Sequence, residues 1–241
     1  MVRELVKHGL KAWGVELRHY PLFRRAIHVL VRTGVKPTFV QVGANNGIDF
    51  DDFFAVVSSY DLPGLVIEPV PYYFEALAQA YKRHRQIVPV QVALHPTDRS
   101  ATLYRANPDK LKLGWQHGLG SFSREHLIKH GVPADAIMPE HVPCMPLAEV
   151  VDTYLPQGAN VDILMTDTEG FDGEILGMVD FRRIRPKIIK FEAKHLPPET
   201  LAHIEQRLAE EGYLIERGPE DYVAVEPTLA GRFRYLQASL R

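Results

Sequence analysis

The chain has 241 residues, 46% hydrophobic and 24% charged, enough to bury one sizeable core without covalent staples. Its single cysteine, Cys144, excludes an internal disulfide framework and a cysteine-based zinc site, and a net charge of -2 argues against a strongly basic nucleic-acid binder. No apolar run is long enough to span a membrane, and charges interrupt the first twenty residues too often for a signal peptide, so a soluble, cytoplasmic protein is expected.

Residues 1–37 hold eight Lys/Arg and two acids, a local charge of +6 against -8 for the remainder. Residues 3–33 read as two helices broken near Tyr20-Pro21, because Pro21 disfavours a helical Tyr20 and suits the first turn of the next helix. This basic extension, 1–34, reads as a solvated face. The competing reading is a contact surface for an anionic substrate, a membrane surface, a partner or a second copy of the chain.

Short β-rich runs follow at 38–42, 65–68 and 87–93, with a shorter edge strand at 101–104. Helical patterns at 50–59 and 71–85 lie between them. Residues 105–141 contain seven Gly or Pro and few strand-like runs. They read as an irregular insertion over the mouth of a site, with a disordered excursion as the alternative. Strands recur at 161–165 and 187–191, with helices at 147–154, 172–178 and 199–212. A terminal hairpin, 213–216 and 221–225, turns at Gly218-Pro219. Five strand–helix repeats imply a mostly parallel sheet of seven strands with helices on both faces. The hairpin adds one antiparallel strand, which fits a class I methyltransferase sheet better than a plain nucleotide-binding one.

The chemistry gathers at one edge of that sheet. The first strand ends in Gly43-Ala-Asn-Asn-Gly47, a turn that presents free backbone N–H groups. Its glycines permit unusual backbone angles and close ligand approach. The second strand ends in Glu68, a carboxylate placed to accept both hydroxyls of a ribose. Together they indicate a nucleoside cofactor, leaving NAD and S-adenosylmethionine (SAM) open. The fourth core strand ends in Asp167-Thr-Glu169, and neighbouring acids there call for a cation, a base role or a hydrogen-bond network. A sulfonium and an α-amino group are cations, whereas NAD needs no acids here. Glu192 and His195 follow the next strand, so Asp167, Glu192 and His195 form a candidate oxygen-rich site for a divalent ion such as Mg2+. His126 and His130, at i and i+4, read as a solvated helix face, and Cys144 as packed.

The segments 40–47, 64–69, 161–170 and 185–192, with 90–94 and 146–152 in order between them, resemble the FkbM family of SAM-dependent methyltransferases over about residues 35–195. The Asp167-Thr-Glu169-Gly170 block is the most specific part. The resemblance implies a class I Rossmann-like domain at 35–241 that methylates hydroxyls on sugars, polyketides or other secondary metabolites. It places Gly43, Ala44, Asn45 and Gly47 on the methionine part of the cofactor, Glu68 at the ribose, and Gln91, Val92 and Ala93 at the adenine, with Asn46 and Pro69 also in the cofactor set. Asp167, also in the cofactor set, and Glu169 face the reaction centre. Thr166 stands where the family block more commonly has lysine, and Phe171-Asp172 where it has an alanine–glutamate pair. An alcohol acceptor needs a base, and Asp167, Glu169 and His195 are the candidates. Tyr72, Tyr73, Trp115, His117, Ser121 and Glu192 are candidate substrate contacts, with ordinary packing as the competing reading for the aromatics. Two other classes compete: a nicotinamide-dependent oxidoreductase, which predicts a third glycine that the first loop lacks, and a non-catalytic scaffold that uses the basic helices to bind a partner.

Overall fold

The computed structural model describes residues 22–48, 53–111 and 118–232. The first expected helix, Trp115 and His117 lie outside them.

Helix α1 (Leu22–Val31) precedes strand β1 (Phe39–Val42). The chain then alternates through α2 (Phe53–Tyr60), β2 (Gly64–Ile67), α3 (Pro71–Tyr81) and β3 (Ile87–Val90). After an excursion it resumes with α5 (Leu147–Tyr154), β8 (Ile163–Thr166), α6 (Asp172–Gly177), β9 (Ile188–Glu192) and α7 (Pro198–Glu210), and ends in the hairpin β10 (Leu214–Arg217) and β11 (Asp221–Val225). The seven strands run in the order β10-β11-β9-β8-β1-β2-β3. Neighbours from β9 to β3 pair parallel, and β11 pairs antiparallel with both β9 and β10. This is the mostly parallel sheet with a terminal hairpin that the strand–helix alternation predicts.

Strand periodicity distributes the core over both faces. Val40, Val42, Leu65, Ile67, Leu164, Ile189 and Phe191 pack under α5, α6 and α7. Phe39, Val66, Ile163, Met165 and Ile188 pack under α1, α2 and α3. Pro89 has no N–H to give a ladder, and β3 is an outermost strand, where that loss is tolerated.

The expectation of an irregular 105–141 is corrected. The excursion builds a second sheet, in the order β4-β7-β5-β6, from β4 (Ala93–Leu94), β5 (Ser100–Ala106), β6 (Gly120–Ser121) and β7 (Ile137–Met145), and carries helix α4 (Arg124–Lys129). Strand β7 hides in the sequence behind Pro139 and Pro143. Antiparallel pairs alternate between bonded and non-bonded positions. The Cys144 N–H donates to the Arg99 carbonyl at 2.9 Å, so the odd positions of β7, including both prolines, are non-bonded opposite β5 and cost the ladder nothing. The expected strand 87–93 is likewise two strands, since β4 leaves the first sheet to pair with β7. Val70, Tyr73, Leu103, Val142 and the buried Cys144 seat the second sheet beside the C-terminal ends of the first.

Candidate active site

A cavity of about 430 Å³ opens at those C-terminal strand ends, within the usual range for small-ligand sites. Its wall draws on the turn after β1, the end of β2, the entry to α3, β4, the turn after β8 and β6 of the second sheet.

The turn after β1 is shaped by backbone contacts. Gly43 has φ +75 and donates its N–H to the Ile67 carbonyl at 3.0 Å. A Cβ on Gly43 would lie 1.8 Å from the Asp167 carbonyl oxygen, so this glycine lets the turns after β1 and β8 touch. Gly47, also at positive φ, packs its bare Cα against Leu77 and Tyr81 of α3. The close approach expected for a ligand at these glycines is in both cases an approach of protein to protein. Asn45 takes the left-handed conformation, φ 48, and donates from Nδ2 to the Gly118 carbonyl at 3.0 Å, linking the first sheet to the second.

Glu68 is buried, and its two oxygens are held separately. Oε2 accepts the Asn45 N–H at 3.0 Å and Oε1 the Val70 N–H at 2.9 Å. A carboxylate has about four lone-pair sites, so each oxygen retains acceptor capacity at the cavity wall. Burial raises the pKa of Glu68 from 4.5 to about 7, against the lowering effect of the two N–H bonds.

The turn after β8 carries three carboxylates with different surroundings. Asp172 is fully buried. Its Oδ1 accepts the Thr166 hydroxyl at 2.5 Å, and its Oδ2 accepts the Thr168 hydroxyl at 2.8 Å and the Thr168 N–H at 3.2 Å. Thr166 and Asp172 are therefore hydrogen-bond partners. Burial pushes the pKa of Asp172 up and these bonds oppose it. Asp172→Ala would leave the buried Thr166 hydroxyl and the Thr168 donors without their acceptor. We expect a loss of about 3 kcal/mol, read as a lower urea midpoint at unchanged slope. Glu169 sits at φ 53, and its Oε2 lies 2.9 Å from His126 Nε2. Asp167 faces the cavity with its side chain exposed there, and among the described residues no hydrogen bond or ion pair engages its carboxylate. Loss of bulk solvent around it, followed by the charges of Asp172 and Glu169, raises its pKa.

Of the residues named from sequence, Gly43, Ala44, Asn45, Glu68, Pro69, Tyr73, Val92, Ala93, Ser121, Asp167 and Glu169 line the cavity. Asn46, Gly47, Gln91, Tyr72, Glu192 and His195 lie outside its wall, with Gln91 and Tyr72 exposed. Glu192 and His195 do meet, Oε1 to Nε2 at 3.3 Å. The carboxylate that joins them is Glu169 rather than Asp167. His126 and His130, expected on a solvated face, instead pack against His195, with ring centroids 4.7 and 4.6 Å away. Sequence reasoning also missed Lys190, which lines the cavity and pairs with Asp221 at 2.7 Å. A lysine set between Ile189 and Phe191 inside an otherwise apolar strand was the available signal.

The Methyltransferase FkbM domain model matches residues 41–215. No curated protein matches the chain by sequence. Among solved structures, the chain is similar to methyltransferase FkbM from Methylobacillus flagellatus KT, at 11% identity and TM-score 0.47, covering 79% of this chain and 43% of that one. It is also similar to the O-methyltransferase TomG from Streptomyces achromogenes, involved in tomaymycin synthesis and in complex with SAM, at 10% identity, TM-score 0.44 and coverage of 92% and 88%. A third is the precorrin-6y C5,15-methyltransferase from Geobacter metallireducens GS-15, at 14% identity, TM-score 0.41 and coverage of 83% and 87%. With the domain model spanning most of the sheet and the cavity-forming turns, the chain belongs to the FkbM family and is a SAM-dependent methyltransferase.

Proposed function

We propose that the protein O-methylates a hydroxyl group of a small molecule, a sugar, polyketide or other secondary metabolite, with Asp167 as the general base. The observation that carries this reading is the contrast among the carboxylates. Glu68, Glu169 and Asp172 are each engaged by hydrogen bonds, whereas the Asp167 carboxylate faces the cavity with no hydrogen-bond partner among the described residues.

The residues fit the cofactor. Glu68 keeps acceptor capacity for two ribose hydroxyls, Val92 and Ala93 offer an apolar wall to the adenine, and Asp167 and Glu169 give an acidic environment to cationic groups. When bound, SAM supplies a methyl group on a sulfonium, an electrophile that needs a positioned nucleophile. The chain's part is to hold the acceptor hydroxyl at the Asp167 end of the cavity and take its proton on Asp167 Oδ as the oxygen becomes a nucleophile. Tyr73 and Ser121 also line the cavity and in this reading contact the acceptor. Ser121 donates its hydroxyl to the Glu169 carbonyl at 3.1 Å, which fixes the turn that bears both acids.

The test is calorimetric titration with S-adenosylhomocysteine (SAH), with and without Mg2+ and against NAD. Transfer of labelled methyl from SAM to a panel of hydroxylated sugars and natural products follows. Label recovered in a base-stable ether is the expected product. Label found only in amines, thiols or base-labile esters would sink the hydroxyl reading.

Glu68 makes cofactor affinity depend on pH. Its ionised form is the better acceptor for ribose hydroxyls, and its pKa is about 7, so binding below neutrality releases a proton. SAH affinity is expected to weaken by up to roughly tenfold per pH unit below 7, and Glu68→Gln to flatten that dependence. The sign for folding is opposite. A carboxyl whose pKa is raised on folding adds no penalty below 4.5 and costs stability progressively as the pH rises through about 7. A pH-independent SAH affinity in the wild type between pH 5.5 and 7.5 would contradict the assignment of Glu68 to the ribose.

A further inference from the structure

We propose that His126, His130, His195, Glu169 and Glu192 form a binding site for one divalent first-row transition metal ion, which ties helix α4 of the second sheet to the ends of β8 and β9. This stands apart from the acceptor reading above, because it concerns a cluster beside the cavity that shares only Glu169 with the cavity wall.

The donors converge from three segments distant in sequence. His126 Nε2 lies 2.9 Å from Glu169 Oε2, His195 Nε2 lies 3.6 Å from that same oxygen, and His195 Nε2 lies 3.3 Å from Glu192 Oε1. Ligands about 2.1 Å from a metal ion in a four- or five-coordinate shell stand roughly 3.0–3.6 Å from their neighbours, so these separations match the edges of a coordination shell. The donor atoms of His126, His130 and His195 lie within 4.8 Å of one another, as do those of Glu169, Glu192 and His195.

The outer contacts are those of a ligand set. His130 Nδ1 donates to the His126 carbonyl at 2.8 Å. A ring N–H held by a backbone carbonyl is the outer contact that metal-bound imidazoles generally make. Glu192 is buried, and its Oε2 has no hydrogen-bond partner among the described residues. Glu169 holds a left-handed backbone conformation, a cost for a non-glycine residue that keeps its carboxylate beside two of the imidazoles. A dication held by this cluster would compensate the two carboxylates packed against the imidazoles. The chemistry of the set also selects the ion: imidazoles favour zinc, cobalt, nickel and iron, whereas magnesium prefers oxygen ligands and its own waters.

The test uses the full chain, stripped with a chelator and then titrated with Co2+, Zn2+ and Mg2+ in separate experiments. Calorimetry reads stoichiometry, and the visible d–d bands of Co2+ report coordination by nitrogen. One Co2+ or Zn2+ per chain, with Mg2+ far weaker, is the expected result. His130→Gln and His195→Gln should each weaken Co2+ binding by roughly 100-fold, while SAH titration of the same samples verifies that they are folded. The proposal is overturned by wild-type protein that binds SAH but takes up no Co2+, by Mg2+ binding as tightly as Zn2+, or by folded variants that bind Co2+ unchanged. Metal uptake is measured without cofactor or acceptor, so its failure leaves the methyl-transfer reading standing, and the converse holds.

Discussion

Asp167→Asn is expected to slow methyl transfer by roughly 10²- to 10⁴-fold, the usual contribution of a positioned general base, with most of the loss in kcat. Asparagine keeps the shape of the side chain and its place on the cavity wall, and removes the site that accepts the acceptor's proton. Because the Asp167 carboxylate has no hydrogen-bond partner among the described residues, the substitution strands no buried donor. Folding stability should not fall, because the substitution also removes a charge beside Asp172 and Glu169, and Tm should hold or rise.

Glu169 supplies the comparison. Its Oε2 is already committed to His126 at 2.9 Å and approached by His195 at 3.6 Å, so Glu169→Gln perturbs that cluster and is expected to cost stability as well as rate. An interaction made only in the transition state lowers kcat and kcat/KM together, whereas lost ground-state binding raises KM. Asp167→Asn with intact kcat and unchanged SAH binding would remove Asp167 as the base and shift the role to Glu169, the other candidate base on the cavity wall.

The parts of this fold that the sequence made legible are those whose signal is local. Strands β1, β2, β8 and β9 are short β-branched runs ending at Gly43, Glu68, Asp167 and Glu192, so the residues at one sheet edge could be placed before the sheet was seen. What stayed hidden depends on partners far along the chain. Strand β7 reads as irregular because Pro139 and Pro143 are breakers until their alignment with β5 shows both at non-bonded positions. His126 and His130 look like a polar helix face until His195 and Glu169, from two other turns, close over them. Asp172 shows in the sequence only as a departure from a family pattern, and its partner Thr166 as another. The hydrogen bond between them gives both residues a structural role that the one-dimensional pattern does not show.

Gly43→Ala is expected to destabilise the protein by about 3–5 kcal/mol, the sum of a left-handed backbone cost and a forced displacement in a packed region. For a chain of this size that lowers Tm by roughly 10 °C or more. The clash is with backbone: a Cβ would stand 1.8 Å from the Asp167 carbonyl oxygen and 2.8 Å from its carbon, and no rotamer relieves it. Relief requires the turns after β1 and β8 to separate, and those turns position Asn45 against Glu68 and set Asp167 on the cavity wall. SAH binding should therefore fall even at temperatures where the variant stays folded. Gly47→Ala should cost less, because the obstructing atoms at 2.7 and 2.9 Å belong to the Leu77 and Tyr81 side chains, which can shift. Gly177, at the end of α6, has open space around it and no positive φ. Gly177→Ala should be neutral or stabilise by up to about 1 kcal/mol through the unfolded state. The order Gly43, Gly47, Gly177 in thermal unfolding, with SAH affinity lost most at Gly43, is the measurement. A Gly43→Ala protein with wild-type Tm would mean that the contact between the two turns does not hold this edge of the sheet together.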